Sequence, residues 1–429
     1  MFERLFKLQE HGTSVRTEVI AGFTTFLTMC YIIFVNPEIL STTGMDRNAI
    51  FVATCLAAAL GTFIMAFVAN WPIGMAPGMG LNAFFAFTVV AALGYTWQQA
   101  LGAVFISGII FLILTVTGVR SWLIRGIPKS LQSAIAAGIG MFLGLIALIN
   151  SGIVVANPAT TVGLGDLTSA PVLYAILGFF IIATLDTLKV RGAILIGILA
   201  ITVLSMMTGQ SEFVGVFSIP PSIAPTFMQL DIIGAMHTGL LHVILVLVLV
   251  EVFDATGTMI GVAKRARLID EGKPNRLGKA LLADSTAIVA GSVLGTSSTT
   301  AYVESASGVQ AGGRTGLTAL VIGVLFLLAL FISPLAASVP VYATAPALLY
   351  VACLMMREIV EVDWSDTTEA TPAALTAFAM PFTYSIANGL AIGFISYVVL
   401  KACTGKWRHI HPATLLVAIL FVIKYAIAE

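Results

Sequence analysis

Three carboxylates lie inside apolar runs: Glu251 and Asp254 in one, Glu304 in another. On insertion scales a carboxylate at the centre of a bilayer costs about 2.5–3.5 kcal/mol. No Lys or Arg shares either run at a comparable depth. An acid kept in such a place can accept N–H groups from a polar ligand, take up a proton, or sit protonated against a neighbouring helix. Asp254 and Thr258 are four residues apart, so a helix puts both on one face. Glu251 is one turn earlier and is free to look elsewhere, and Gly257 and Gly261 have the spacing that admits a second backbone.

Two further stretches are too polar or too broken for ordinary membrane helices. Gly295-Thr-Ser-Ser-Thr-Thr opens on a glycine and five hydroxyl residues, which favour extended or turn backbone. From Ala301 the chain is expected to continue as a helix, with Glu304 about one turn in. Ala76-Pro-Gly-Met-Gly80 should break a second helix and place Asn82 in the first turn of a new half-helix, where its amide can cap or bond a ligand. Phe84, Phe85 and Phe87 read mainly as packing, with Phe84, Tyr302 and Tyr350 as candidate pocket lining. Half-helices at membrane depth are tolerated where they are buried in protein or line a wet cavity, and their first N–H groups are available to a ligand. Two such N-termini with two carboxylates suit a small, flat, neutral molecule carrying both N–H and C=O groups. An anion would be drawn by the dipoles and repelled by the acids.

The elements that must position these residues are membrane spans. The chain of 429 residues is 59% hydrophobic and 10% charged, with a mean hydropathy of +1.02, and apolar runs of spanning length recur throughout. Spans are expected near 17–37, 48–69, 74–94, 97–117, 130–150, 170–188, 192–208, 239–263, 280–294, 297–311, 315–336, 342–357, 371–386 and 388–403, with a further apolar segment at 411–428. With a cytoplasmic N-terminus this count puts nineteen of the 21 Lys and Arg inside, leaving Arg47 outside and Lys424 in the last segment. The first sixteen residues lack the apolar region of a cleavable signal and read as a segment lying on the membrane surface. Cys30, Cys55, Cys353 and Cys403 read as small buried residues rather than metal or disulfide partners, and no cofactor is implied. A net charge of zero says nothing about nucleic acid, and there is no basic tail to bind it.

The two broken stretches occupy the third span and the tenth, the third of the second seven, so the halves run in opposite orientations. Matched interrupted spans point to a transporter's binding site. Val190-Arg-Gly-Ala-Ile-Leu-Ile-Gly echoes Ala387-Asn-Gly-Leu-Ala-Ile-Gly at the seventh span of each half. The fold class is thus an all-α polytopic membrane protein of fourteen segments in 7+7 inverted repeats.

The chain resembles the nucleobase–ascorbate transporter family (nucleobase–cation symporter-2), its AzgA-like purine permease branch in particular. The resemblance rests on Ala21-Gly-Phe-Thr-Thr-Phe-Leu-Thr-Met, Val35-Asn-Pro37, Ala76–Phe87, Phe253-Asp-Ala-Thr-Gly-Thr258, Gly295–Glu304, Val309-Gln-Ala-Gly-Gly-Arg-Thr-Gly-Leu317 and Ala343-Thr-Ala-Pro-Ala-Leu348. It implies a core domain (1–128 and 239–338) that holds substrate, and a gate domain (129–238 and 339–429) that dimerises. It also implies proton-coupled purine uptake across the cytoplasmic membrane by an elevator-like motion. Its acids fall on Asp254 and Glu304 and its asparagine on Asn82, with backbone groups near Leu81, Ala83 and Val303 completing the site. Some relatives have a histidine where this chain has Thr258. Glu251 matches no acid of the branch and is a second candidate, beside Asp254 and Glu304, for handling the proton.

Two other classes compete. An anion transporter or exchanger could use the same inverted-repeat scaffold, but such sites lean on helix dipoles and tend to avoid buried acids. A membrane enzyme or receptor would need a nucleophile–base pair or a soluble domain, and the five histidines lie at span ends or in loops, away from the acids.

Overall fold

The computed structural model describes residues 2–236, 238–268 and 276–427. Within its helices, the side chains of Ser121, Ile124, Arg125, residues 238–240, Phe253, Asp254, Thr256 and Ile427 lie outside the described set.

Among the described residues, ten helices are long and apolar enough to cross a membrane. They run Val15–Ser41, Arg47–Ala69, Trp97–Val116, Lys129–Asn150, Ala170–Thr187, Leu241–Arg265, Leu277–Leu294, Gly316–Ala337, Val341–Glu361 and Ile386–Cys403. The segments expected as the third, seventh, tenth and thirteenth spans are shorter or interrupted. Met79–Ala92 and Ala193–Met207 are shorter apolar helices, as is Pro412–Ala426 in the C-terminal segment. The latter packs on Ile386–Cys403 and on Val119–Gly126.

Local chemistry sets many of the ends. Asp46, Thr96, Thr315, Asp366 and Ser385 each accept a backbone N–H at a helix start, satisfying donors the helix cannot. The first span is broken: Val15–Met29 stops, and Ile32–Ser41 resumes after Cys30 and Tyr31. The second piece contains Pro37, and its neighbour Asn36 is fully buried, donating to Thr54 (2.7 Å) and Thr296 (3.0 Å). Asn36 therefore fastens the hydroxyl-rich stretch to two helices. Glu18 is also fully buried, and its carboxylate accepts from Arg314 N, Thr315 N and Thr318 N and from the Thr318 hydroxyl (2.9, 3.2, 3.2 and 2.6 Å).

Several expectations need correcting. The N-terminal segment does not only lie on a surface: Phe6 and Leu8 are buried against Ala66, Leu317 and Ala319, and Asn70 donates to the Phe6 carbonyl (3.0 Å). Cys30 and Cys55 are buried, but Cys353 and Cys403 are exposed. Gly257 and Gly261 face open space rather than a close second backbone. Close approach occurs elsewhere. A Cβ on Gly308 would run into the Thr25 hydroxyl and come within 2.7 Å of the Ala21 carbonyl, and one on Gly80 would lie 2.7 Å from Ile139 Cγ2.

Candidate functional site

The two stretches singled out above meet. Met75–Pro77 and Thr299–Ala301 are short antiparallel strands, with Met75 opposite Ala301, Ala76 opposite Thr300, and Pro77 opposite Thr299. The Gly78 N–H donates to Ser298 O (2.9 Å) and the Tyr302 N–H to Gly74 O (3.0 Å), extending the ladder at both ends. All six strand residues are buried. Pairing satisfies backbone groups that proline and a run of hydroxyl residues keep out of a helix.

Each strand leads into a helix, but the two starts differ. After Met75–Pro77 the chain forms Met79–Ala83, which continues as a π-helix over Phe84–Ala92. Gly78 precedes it and has no side chain to cap it, so the first-turn amides keep their donors. After Thr299–Ala301 the helix begins only at Ser305, following a tight turn. The N–H groups of Ser305, Ala306 and Ser307 bond back to the carbonyls of Tyr302, Val303 and Glu304. Glu304 therefore immediately precedes its helix rather than sitting one turn inside it, because the strand consumes the residues through Ala301.

Asn82 is fully buried in the first turn of its helix. Its Oδ1 accepts from the Ser297 hydroxyl, which ties the two stretches together, while its Nδ2 has no hydrogen-bond partner among the described residues. A buried amide donor without an acceptor is costly and uncommon. Glu304 is half-buried and accepts from the hydroxyl of Tyr31 (2.7 Å), which sits at the break in the first span. Leu81, Ala83 and Phe84 are buried around Asn82, and Val303 is 59% exposed beside Glu304. Tyr302 donates its hydroxyl to the Pro77 carbonyl (2.6 Å), so it clamps the strand pair.

Tyr350 keeps other company. It lies on Val341–Met356 and donates to Asp186 (2.6 Å) near the end of Ala170–Thr187. Thr258 is half-buried on Thr238–Arg265. Asp254 is on the same helix, with its side chain outside the described set. Glu251 is fully buried, accepts from Ser107 at 3.4 Å, and has a second oxygen, Oε2, without a partner.

Sequence reasoning passed over four residues. Tyr31 lies at the break in the first span, and Asn36 lies in the helix that resumes after it, where the Asn-Pro pair inside an apolar run was the available signal. Asp284 lies within the apolar Leu277–Leu294 helix, fully buried, and is ion-paired with the equally buried Arg120 (3.0 Å). Arg120 counts correctly as a basic residue between spans, but Val119–Gly126 is a helix that brings it inward.

A mostly helical bundle with ten helices, among the described residues, long and apolar enough to cross a membrane, and with broken segments meeting as a buried strand pair, is the architecture of a multi-pass membrane protein. The fold is that of "the transmembrane domain of a cyanobacterium bicarbonate transporter BicA", with a TM-score of 0.67 over 87% of this chain and 97% of that one at 17% identity. It belongs to the 7+7 inverted-repeat architecture of that group. A sequence model described as "Permease family" matches residues 16–392. The adenine permease AdeP of Escherichia coli (strain K12) is 53% identical over 425 residues, 99% of this chain and 96% of that protein. The guanine/hypoxanthine permease PbuO of Bacillus subtilis (strain 168) is 46% identical over 428 residues, covering 98% and 99%. The chain is a multi-pass permease and not an enzyme, and it belongs to the nucleobase–ascorbate transporter family.

Proposed function

We propose that this protein carries purine nucleobases into the cell in symport with protons. The observation that carries the reading is the Asn82 amide donor, unpartnered among the described residues, next to a strand pair whose other arm runs on through a turn to Glu304. A purine edge offers ring nitrogens or a carbonyl to Asn82 and to backbone groups near Leu81 and Ala83. Its N–H groups suit Glu304 and Asp254, with the backbone at Val303 and the hydroxyl of Thr258 nearby. Phe84 and Tyr302 line the space, and one of Asp254, Glu251 and Glu304 takes the coupled proton. The purine permeases cited above support the substrate class.

The core (1–128 and 239–338) moves against the gate (129–238 and 339–429) in an elevator-like stroke, and two copies join through their gates. The protein sits in the cytoplasmic membrane with its N-terminus inside, as the distribution of Lys and Arg favours. The solved relatives include anion transporters, so anion exchange is the rival reading. The Glu304 carboxylate at the start of one half-helix works against it, since it repels an anion there.

The test is competition. Uptake of radiolabelled hypoxanthine falls when unlabelled adenine or guanine is added and is indifferent to bicarbonate and sulfate. Uptake blocked by the anions and untouched by purines would replace this reading with its rival.

A further inference from the structure

Behind the strand pair lies a charge cluster that the substrate contacts do not use. Arg120 and Asp284 form an ion pair of 3.0 Å with both side chains fully buried. Arg120 also donates to the Leu281 carbonyl (3.2 Å) and stacks on the Phe111 ring at 4.0 Å from its centroid. Glu251 is fully buried within electrostatic reach of both. Three buried groups, two acidic and one basic, leave one uncompensated negative charge unless a proton is present. Asp284 has its counter-charge in direct contact, whereas Glu251 has a long bond from the Ser107 hydroxyl and, among the described residues, no partner at hydrogen-bond length for Oε2.

We propose that Arg120, Asp284 and Glu251 form the proton site of this carrier, with Glu251 carrying the exchangeable proton on Oε2 and Arg120–Asp284 fixing the cluster's charge. This rests on the proton-coupled reading above and adds where the proton rides. Of the elements packed on the Glu251 helix, Trp97–Val116 contributes Ser107, Val119–Gly126 carries Arg120 and also Arg125, whose side chain lies outside the described set, and Leu277–Leu294 carries Asp284 and, in its first turn, the exposed Lys279. Ser305–Gln310 carries no titratable side chain. Asp254, three residues along the same helix, has its side chain outside the described set.

The link to substrate runs through the strand. Asp284 accepts from the Thr300 hydroxyl (3.3 Å), and Thr300 is opposite Ala76. Ser298, whose hydroxyl also lacks a partner at hydrogen-bond length, faces Glu251, and its carbonyl receives the Gly78 N–H at the start of the Asn82 helix. An ionised Glu251 draws the Ser298 hydroxyl as a donor. A protonated one offers Oε2–H to the same oxygen. The junction that sets Asn82 therefore reads whether the proton is bound.

The experiment uses the full chain in proteoliposomes with radiolabelled hypoxanthine, measuring both accumulation driven by an inside-alkaline pH gradient and gradient-free exchange. Wild-type protein accumulates, and a protonophore abolishes it. If wild-type accumulation ignores the protonophore, proton coupling itself fails, whatever the cluster does. Given that control, Glu251→Gln keeps exchange but equilibrates without accumulating. Asp284→Asn behaves the same way, because Glu251 then becomes Arg120's counter-charge and stays ionised. Gradient-driven accumulation by Glu251→Gln at the wild-type level overturns the proposal. Should Glu251→Gln lose exchange as well, Ser107→Ala decides. Removing a donor to the carboxylate favours its protonated form, so the pH profile of uptake moves to higher pH, and an unmoved profile overturns the assignment.

Discussion

At the scale of residues, the site is defined by polar groups whose partners are incomplete. Glu304 rests on the Tyr31 hydroxyl, and Asn82 holds Ser297 with its oxygen while its nitrogen waits. Glu304→Gln is expected to abolish purine uptake with membrane expression intact, since in the proposed site Glu304 is a charged acceptor for substrate N–H groups and the neutral amide is a weaker one with a competing donor. Normal uptake by that variant would remove Glu304 from the site. Tyr31→Phe deletes one neutral donor to Glu304, about 0.5–1.5 kcal/mol, which corresponds to about 2–10-fold in apparent KM. An unchanged KM would show that the hydroxyl does not hold the carboxylate for substrate. The residues carrying formal charge in apolar runs were legible because their cost is written in the sequence. Tyr31 and Asn36 were not, because a hydroxyl or amide inside a span is cheap enough to pass as packing until its partner, far along the chain, is known. Asp284 was missed for a different reason: its compensating charge, Arg120, comes from a segment that reads as a loop.

At the scale of elements, hydropathy placed most helices to within a few residues, because a run long and apolar enough to span has few other options. Leu277–Leu294, Lys129–Asn150 and Ala170–Thr187 are examples. What it could not give was pairing. The strand register joining Ala76 to Thr300 depends on residues more than two hundred positions apart, and nothing local encodes it. The turn at Tyr302–Glu304 followed from that pairing, which is why Glu304 was expected one turn too deep. Gly308 shows how tightly these pieces fit. Gly308→Val would force Ser305–Gln310 off Val15–Met29, where the Ala21 carbonyl leaves no room for a side chain. Loss of folded protein on size-exclusion chromatography is expected, and a normal profile would show that the helices can separate cheaply. Far from the site, Lys401 is buried and pairs with Glu369 (2.7 Å) and Asp366 (3.6 Å), tying Thr367–Phe382 to Ile386–Cys403. Lys401→Met leaves those acids without their inner partner, at a cost of about 1–3 kcal/mol, read as a lower Tm in detergent. Asp366 is held well below the usual carboxylate range by the Lys406 ammonium and by Thr368. A depressed folded-state pKa stabilises above the ordinary carboxylate pKa, so this contribution fades as the pH drops through the acidic range.

At the scale of the whole molecule, the permease fold is shared with anion transporters, so the scaffold alone does not choose the cargo. In the proposed reading that choice is made by the side chains around the paired strands. In the proposed elevator stroke the Asn82 helix slides past Lys129–Asn150, and a Cβ on Gly80 would lie 2.7 Å from Ile139 Cγ2 on that helix. Gly80→Val is expected to slow transport several-fold while purine binding persists, since the added side chain must push Ile139 aside at each passage. Equal losses of binding and transport would argue that Gly80 shapes the site itself. The most direct test of the account is adenine or hypoxanthine accumulation by purified protein in proteoliposomes with an imposed pH gradient, alkaline inside. The account predicts that purine rises above its external concentration and falls back when the gradient is collapsed. Purine that never exceeds the external level, or that enters equally well with no gradient, would contradict it.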